Sequence, residues 1–93
     1  MSQLESKIEA KIRKYAISKG CLYWKFTSPG VAGVPDRMIV PPSGGAAFLE
    51  LKRLGETPEV LQHRRLEQLS QRGVVCGWTD SVQGGKDFID ALI

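Results

Sequence analysis

Three ionisable side chains stand where an apolar strand would normally exclude charge. Asp36 immediately precedes the run Arg37-Met38-Ile39-Val40, and Glu50 and Lys52 belong to Ala47-Phe48-Leu49-Glu50-Leu51-Lys52. On an extended strand residues i and i+2 point to the same face, so Glu50 and Lys52 share one. If the two runs pair, Asp36 comes to lie beside them. Two carboxylates and an ammonium at a strand end are the parts of a divalent-metal site with a catalytic lysine, because hard cations take oxygen ligands. Taken singly the fragments are ordinary: an Asp before a strand is commonly a turn residue, and Glu-x-Lys on a strand is commonly a solvated face. Set a hairpin's length apart and inside apolar runs, they point to chemistry.

The elements that must position these groups can be read from spacing. Pro41-Pro42-Ser43-Gly44-Gly45 is turn material, so the two runs form a β-hairpin. Upstream, residues 2–19 read as a helix, capped by Ser2 with Glu5 at the capping-box position and closed by Gly20. Leu4, Ile8, Ile12, Tyr15 and Ala16 form its apolar face; Glu5 falls inside that arc and Glu9 at its margin, where a carboxylate is unexpected unless it meets a cation. Residues 21–26 read as a strand, and residues 27–33 as a small-residue loop able to bring backbone N–H groups close to a phosphate. After the hairpin, Thr57 is expected to cap a second helix with Pro58 at its first position, running to about Arg72 with Leu61, Leu66 and Leu69 inward. Val74–Trp78 reads as a short internal strand. Gly84-Gly85 delays the last helix to residues 86–93, with Phe88, Ile89 and Leu92 inward. The order α-β-β-β-α-β-α, with a strand-helix-strand passage near its end, gives an α/β fold with a mixed β-sheet flanked by helices. Residues 1–93 make a single domain.

Pro35-Asp36 followed by Glu50-x-Lys52 resembles the PD-(D/E)XK nuclease superfamily. The wider string, from Lys25-Phe26-Thr27-Ser28-Pro29-Gly30 through Gly33-Val34-Pro35-Asp36-Arg37 to Phe48-Leu49-Glu50-Leu51-Lys52, resembles its VRR-NUC branch over nearly the whole chain, in the short stand-alone form often met in phage genomes. The resemblance implies a restriction-endonuclease-like core and a DNA endonuclease using Mg²⁺ or Mn²⁺. It also implies one further acidic ligand from the first helix, with Glu9 as first choice and Glu5 second, and a glutamine near the site, which is Gln62. The metal ligands would then be Asp36, Glu50, the Leu51 carbonyl and Glu9 or Glu5. Lys52 could orient or deprotonate the attacking water or neutralise developing charge. Positioning with charge stabilisation is the favoured reading, because nearby metal-bound carboxylates oppose a fall in its proton affinity. Stand-alone relatives of this type are associated with dimers acting on four-way junctions, so a homodimer cutting branched, Holliday-junction-like DNA is expected, with Tyr23, Trp24, Trp78 and Phe88 as candidate interface aromatics.

Composition bounds these readings without deciding them. The chain has 93 residues, 42% of them hydrophobic, and a formal net charge of +3, which suits a polyanionic partner. Candidate phosphate contacts are Lys25, Thr27, Ser28, Arg37, Arg53, Arg64 and Arg65; the plain alternative for the arginines is a solvated basic face. One histidine and two distant cysteines exclude a Cys/His zinc site, and Cys21 and Cys76 read as buried thiols. No apolar run approaches the ~20 residues that span a bilayer, so the expected location is cytoplasmic, in the host cell if phage-encoded. Nucleotide-binding glycine motifs are absent. The competing class is a non-catalytic nucleic-acid-binding module with a decayed site, and against it stands the presence of Asp36, Glu50 and Lys52 together.

Overall fold

The computed structural model describes the backbone of residues 3–93 and side chains from residue 6 onward. The expected Ser2–Glu5 capping box, the side chain of Leu4 and the candidate ligand Glu5 lie outside the described residues. Helix α1 spans Gln3–Ser18 and buries Ile8, Ile12 and Ala16, one stripe at helical spacing. It ends at Gly20, whose φ of 81° lets the Cys21 N–H reach back to the Ala16 carbonyl (3.0 Å) and the Gly20 N–H to Ile17 (3.0 Å). This is the two-bond helix stop that needs a left-handed residue, and glycine takes that conformation without strain.

Four strands follow the expected order: β1 (Leu22–Lys25), β2 (Arg37–Val40), β3 (Ala47–Leu51) and β4 (Cys76–Thr79). They form one mixed sheet in the order β1-β2-β3-β4, with β1–β2 and β2–β3 antiparallel and β3–β4 parallel. Helix α2 (Val60–Gln71) makes the connection between the parallel strands, and α3 (Val82–Asp90) closes the chain. One sheet face carries Tyr23, Ile39, Leu49 and Leu51, which join α1's stripe and Ile89 of α3 in the core. Glu50 and Phe48 point to the other face, on the side of α2.

Three local expectations are corrected. The α2 N-cap is Glu59, not Thr57, and Pro58 lies outside the helix as a buried residue. The cause is Gln62, whose Oε1 accepts the Glu59 N–H at 2.9 Å, while the His63 N–H bonds the Glu59 carbonyl at 3.0 Å. Helix α3 begins at Val82, ahead of the glycines, with Ser81 as N-cap accepting from the Gly84 N–H at 3.0 Å. Gly84 and Gly85 are there for room: a Cβ at Gly84 would meet the Thr79 side chain, and one at Gly85 would meet Ile12. Close approach of α3 to α1 and β4 outweighs the roughly 1 kcal/mol propensity cost of each glycine. Finally, β4 is an edge strand, not an internal one, because the sheet ends there, and Trp78 remains 36% exposed.

Candidate active site

The β2–β3 register builds the site. Arg37 faces Leu49, Met38 faces Phe48 and Ile39 faces Ala47. Continuing the ladder one position sets Asp36 opposite Glu50. Opposed residues of an antiparallel pair project to the same face, so the hairpin register sets the two carboxylates on one side of the sheet. The Leu51 N–H lies 3.4 Å from Asp36 Oδ1, so Leu51 reaches the site through its backbone. Lys52 Nζ lies 3.8 Å from Glu50 Oε2.

Glu50 is buried at 5% exposure, yet it sits among polar partners. Gln62, from the first turn of α2, donates from Nε2 to Glu50 Oε2 at 3.0 Å while its Oε1 holds the Glu59 amide. One side chain therefore both starts the helix and steers the carboxylate. That double use explains why the N-cap of α2 is Glu59.

Arg37 departs from expectation. As a phosphate contact it should be exposed; instead it is 5% exposed, on the core face of the sheet. Its Nη1 lies 3.2 Å from Asp36 Oδ2 and its Nε 3.6 Å from Glu9 Oε2. The cation that justifies an acidic residue at the margin of α1's apolar arc is therefore Arg37, and Glu9 touches Asp36's environment through it. Among the described residues, no group of three His, Cys, Asp or Glu side chains gathers around one point. The register sets Asp36 opposite Glu50, and Glu9 reaches this neighbourhood only by way of Arg37.

The remaining candidates scatter. Lys25, paired in register with Arg37, and Thr27 are exposed, while Ser28 is half-buried. Arg53 is paired with Glu56 at 3.4 Å. Arg64 is exposed on α2, whereas Arg65 donates from Nε to the Ala32 carbonyl at 2.8 Å and fastens α2 to the loop ahead of Asp36. Of the candidate interface aromatics, Trp24 (53%) and Trp78 (36%) are exposed, Phe88 is half-buried and Tyr23 is buried in the core.

Two features were missed. Trp78 is the parallel-register neighbour of Glu50, and His63 meets its ring edge-on at 6.5 Å. This follows from strand pairing alone and has no sequence signal. The second is the stripe Arg65, Gln68, Leu69 and Arg72, which helical spacing could have found; it lines a groove beside the site.

Burial raises the Asp36 carboxyl above its ordinary range; Arg37, the Leu51 N–H and Lys52 oppose this without cancelling it. A desolvated carboxylate opposite a second buried one suits a small hard cation, which takes few protein carboxylates and completes its shell with water and phosphate oxygens. The donor set thus fits Mg²⁺ or Mn²⁺. Burial likewise raises the thiols of Cys21 and Cys76, although Cys76 is half-buried rather than buried as expected.

No protein-family model matches the chain. It is 38% identical over 74 residues to a protein named "Putative nuclease p44" from Acyrthosiphon pisum secondary endosymbiont phage 1, covering 72% of this chain and 80% of that one. A solved structure named "VRR_NUC domain" superposes with a TM-score of 0.88 at 22% identity, over 99% of this chain and 100% of that chain. A second, "VRR_NUC domain protein", gives a TM-score of 0.75 at 13% identity, over 100% of this chain and 90% of the other. By its identity to the phage protein the chain belongs to that nuclease's family, and it has the fold of the VRR_NUC domains.

Proposed function

We propose that this nuclease is a Mg²⁺- or Mn²⁺-dependent DNA endonuclease that acts on branched DNA as a symmetric homodimer. The observation carrying the reading is the β2–β3 register, which sets Asp36 against Glu50 with Lys52 on the same strand face. Asp36, Glu50 and the Leu51 carbonyl would hold the cation, with Glu9 joining if Arg37 yields it. A bound divalent ion supplies Lewis-acid charge relief on the phosphate and a more acidic water. The chain's own residues do the rest. Gln62 fixes the Glu50 carboxylate from the α2 side. Lys52, held beside Glu50, lies within reach of a phosphate oxygen or an attacking water, where its charge opposes the negative charge that builds up in phosphoryl transfer. Arg37 keeps Asp36 and Glu9 apart in charge and fixes Asp36 from the core side.

The dimer reading rests on Leu22 and Trp24, exposed side by side on edge strand β1, together with the need for two cuts to resolve a junction. A two-fold pair also doubles the cations that one subunit presents singly, so binding should weaken steeply with salt. The test is cleavage of labelled junction, flap, splayed and linear substrates with Mg²⁺ or Mn²⁺ against EDTA. Metal-dependent cutting of the junction in preference to the linear duplex is expected; binding with no cutting under any metal condition would instead make this a decayed module.

A further inference from the structure

We propose that the groove beside Asp36 is a slot for one unstacked DNA base next to the scissile phosphate, an inference that rests on the nuclease reading above. The groove encloses about 450 Å³, within the range of small-ligand sites and far too small for a duplex. Phe26 and Phe48 border it, their rings edge-to-face with centroids 5.1 Å apart. Leu69 and Arg72 of α2 form one wall; Val31 and Pro35 of the loop ahead of Asp36 form the other.

Its position links it to the chemistry. Pro35 adjoins Asp36, Phe48 lies two residues before Glu50 on the same strand face, and the Phe26 N–H bonds the Asp36 carbonyl at 2.9 Å. Along α2, Gln62 touches Glu50, and Arg65 and Leu69 follow on the same side at about one turn each. The groove thus adjoins the carboxylate pair through Pro35 and Phe48, the residues next to Asp36 and two before Glu50. An apolar, aromatic-bordered interior with Arg65 and Arg72 in its lining matches a nucleotide: the base fits against the rings and a phosphate against Arg72, whose Nη1 also donates to the Gln68 carbonyl at 3.0 Å. Bases in an intact duplex are stacked and cannot enter, and extruding one costs a few kcal/mol, least where stacking is already broken. A branch point supplies such a base. The slot therefore gives this small domain a way to prefer branched over linear DNA without a recognition module.

The test compares binding of two junctions, one natural and one abasic at the nucleotide flanking the branch, to the whole protein in EDTA, by fluorescence anisotropy. Wild type should bind the abasic junction roughly tenfold more weakly, the size of effect that stacking one base supplies. Val31→Trp fills the mouth from a residue that is 44% exposed, so the core is untouched. It should bind both junctions alike, at the weaker level, with unchanged sedimentation. Arg72→Ala, also at an exposed position, should reduce the difference in part. Equal wild-type binding of the two junctions overturns the proposal while leaving the nuclease reading intact. So does a Val31→Trp protein whose oligomeric state changes, since the groove would then be a subunit contact. Failure of wild type to bind either junction, with no metal-dependent cleavage, would overturn both.

Discussion

Replacing Gln62 with Ala removes two hydrogen bonds that one side chain makes in different directions. The bond from Nε2 to the buried Glu50 carboxylate is 3.0 Å, and that from the Glu59 N–H to Oε1 is 2.9 Å. A hydrogen bond to a charged group contributes about 1.5–3 kcal/mol and a neutral one about 0.5–1.5 kcal/mol, so the variant should lose about 2–4 kcal/mol. For a domain of this size, whose whole stability is on the order of 5–14 kcal/mol, that is a large share. At about 4–8 °C per kcal/mol, Tm should fall by at least about 8 °C in EDTA, followed by circular dichroism. The cycle with Glu50→Gln isolates the contact. A glutamine at 50 still accepts a neutral bond, so the coupling reports only the charge-assisted excess, about 1 kcal/mol, above the ~0.3–0.5 kcal/mol within which independent sites add. Cleavage provides the second readout: losing the group that orients a ligand carboxylate should raise the Mg²⁺ needed for half-maximal activity about 10–100-fold. Additive stabilities together with an unchanged Mg²⁺ requirement would refute the assignment of Gln62 as the residue that positions Glu50.

Asp36→Asn should abolish metal-dependent cleavage yet leave the metal-free fold intact. Because burial raises the Asp36 carboxyl in the folded chain, its ionisation costs stability as pH rises, and this cost is absent at pH values below its unfolded range. In EDTA the Tm advantage of the Asn variant should therefore grow between about pH 3 and pH 7; an advantage that shrinks with pH would mean Arg37 dominates. Lys52→Met should lose most turnover while retaining DNA binding, measured by single-turnover cleavage beside anisotropy; loss of binding would make Lys52 an ordinary phosphate contact. Glu9→Gln should be more damaging to cleavage than Glu5→Gln, since Glu9 is the carboxylate facing Arg37 at 3.6 Å; the reverse order in a side-by-side assay would move the ligand role to Glu5. Gly85→Ala should lower the urea midpoint despite a gain of about 1 kcal/mol in helix propensity, because crowding Ile12 costs about 1–3 kcal/mol. A more stable variant would show that α1 yields.

The order of elements, the hairpin and the shared face of Glu50 and Lys52 were all legible in the sequence, because each is set by neighbours along the chain: a period of two in a strand, a period of 3.6 in a helix, and turn residues between them. The approach of Asp36 to Glu50 followed from those local facts, since a short connection between two strands fixes which residues face each other. What the sequence could not decide depends on partners distant along it. Arg37 looked like one more surface cation, but it is buried because its strand position alternates away from Asp36 and α1 packs Glu9 over it. Gln62 carries no local mark of starting a helix; it does so because α2 must dock where Glu50 accepts its amide. The glycines of α3 read as breakers and are instead the gap into which Ile12 fits. Strand β4 reads as internal from its apolar residues, and only the sheet order makes it an edge that leaves Trp78 exposed next to Glu50. In each case local propensity contributes about 1 kcal/mol or less per residue, while a buried ion pair, a charge-assisted hydrogen bond or a close helix contact outweighs it.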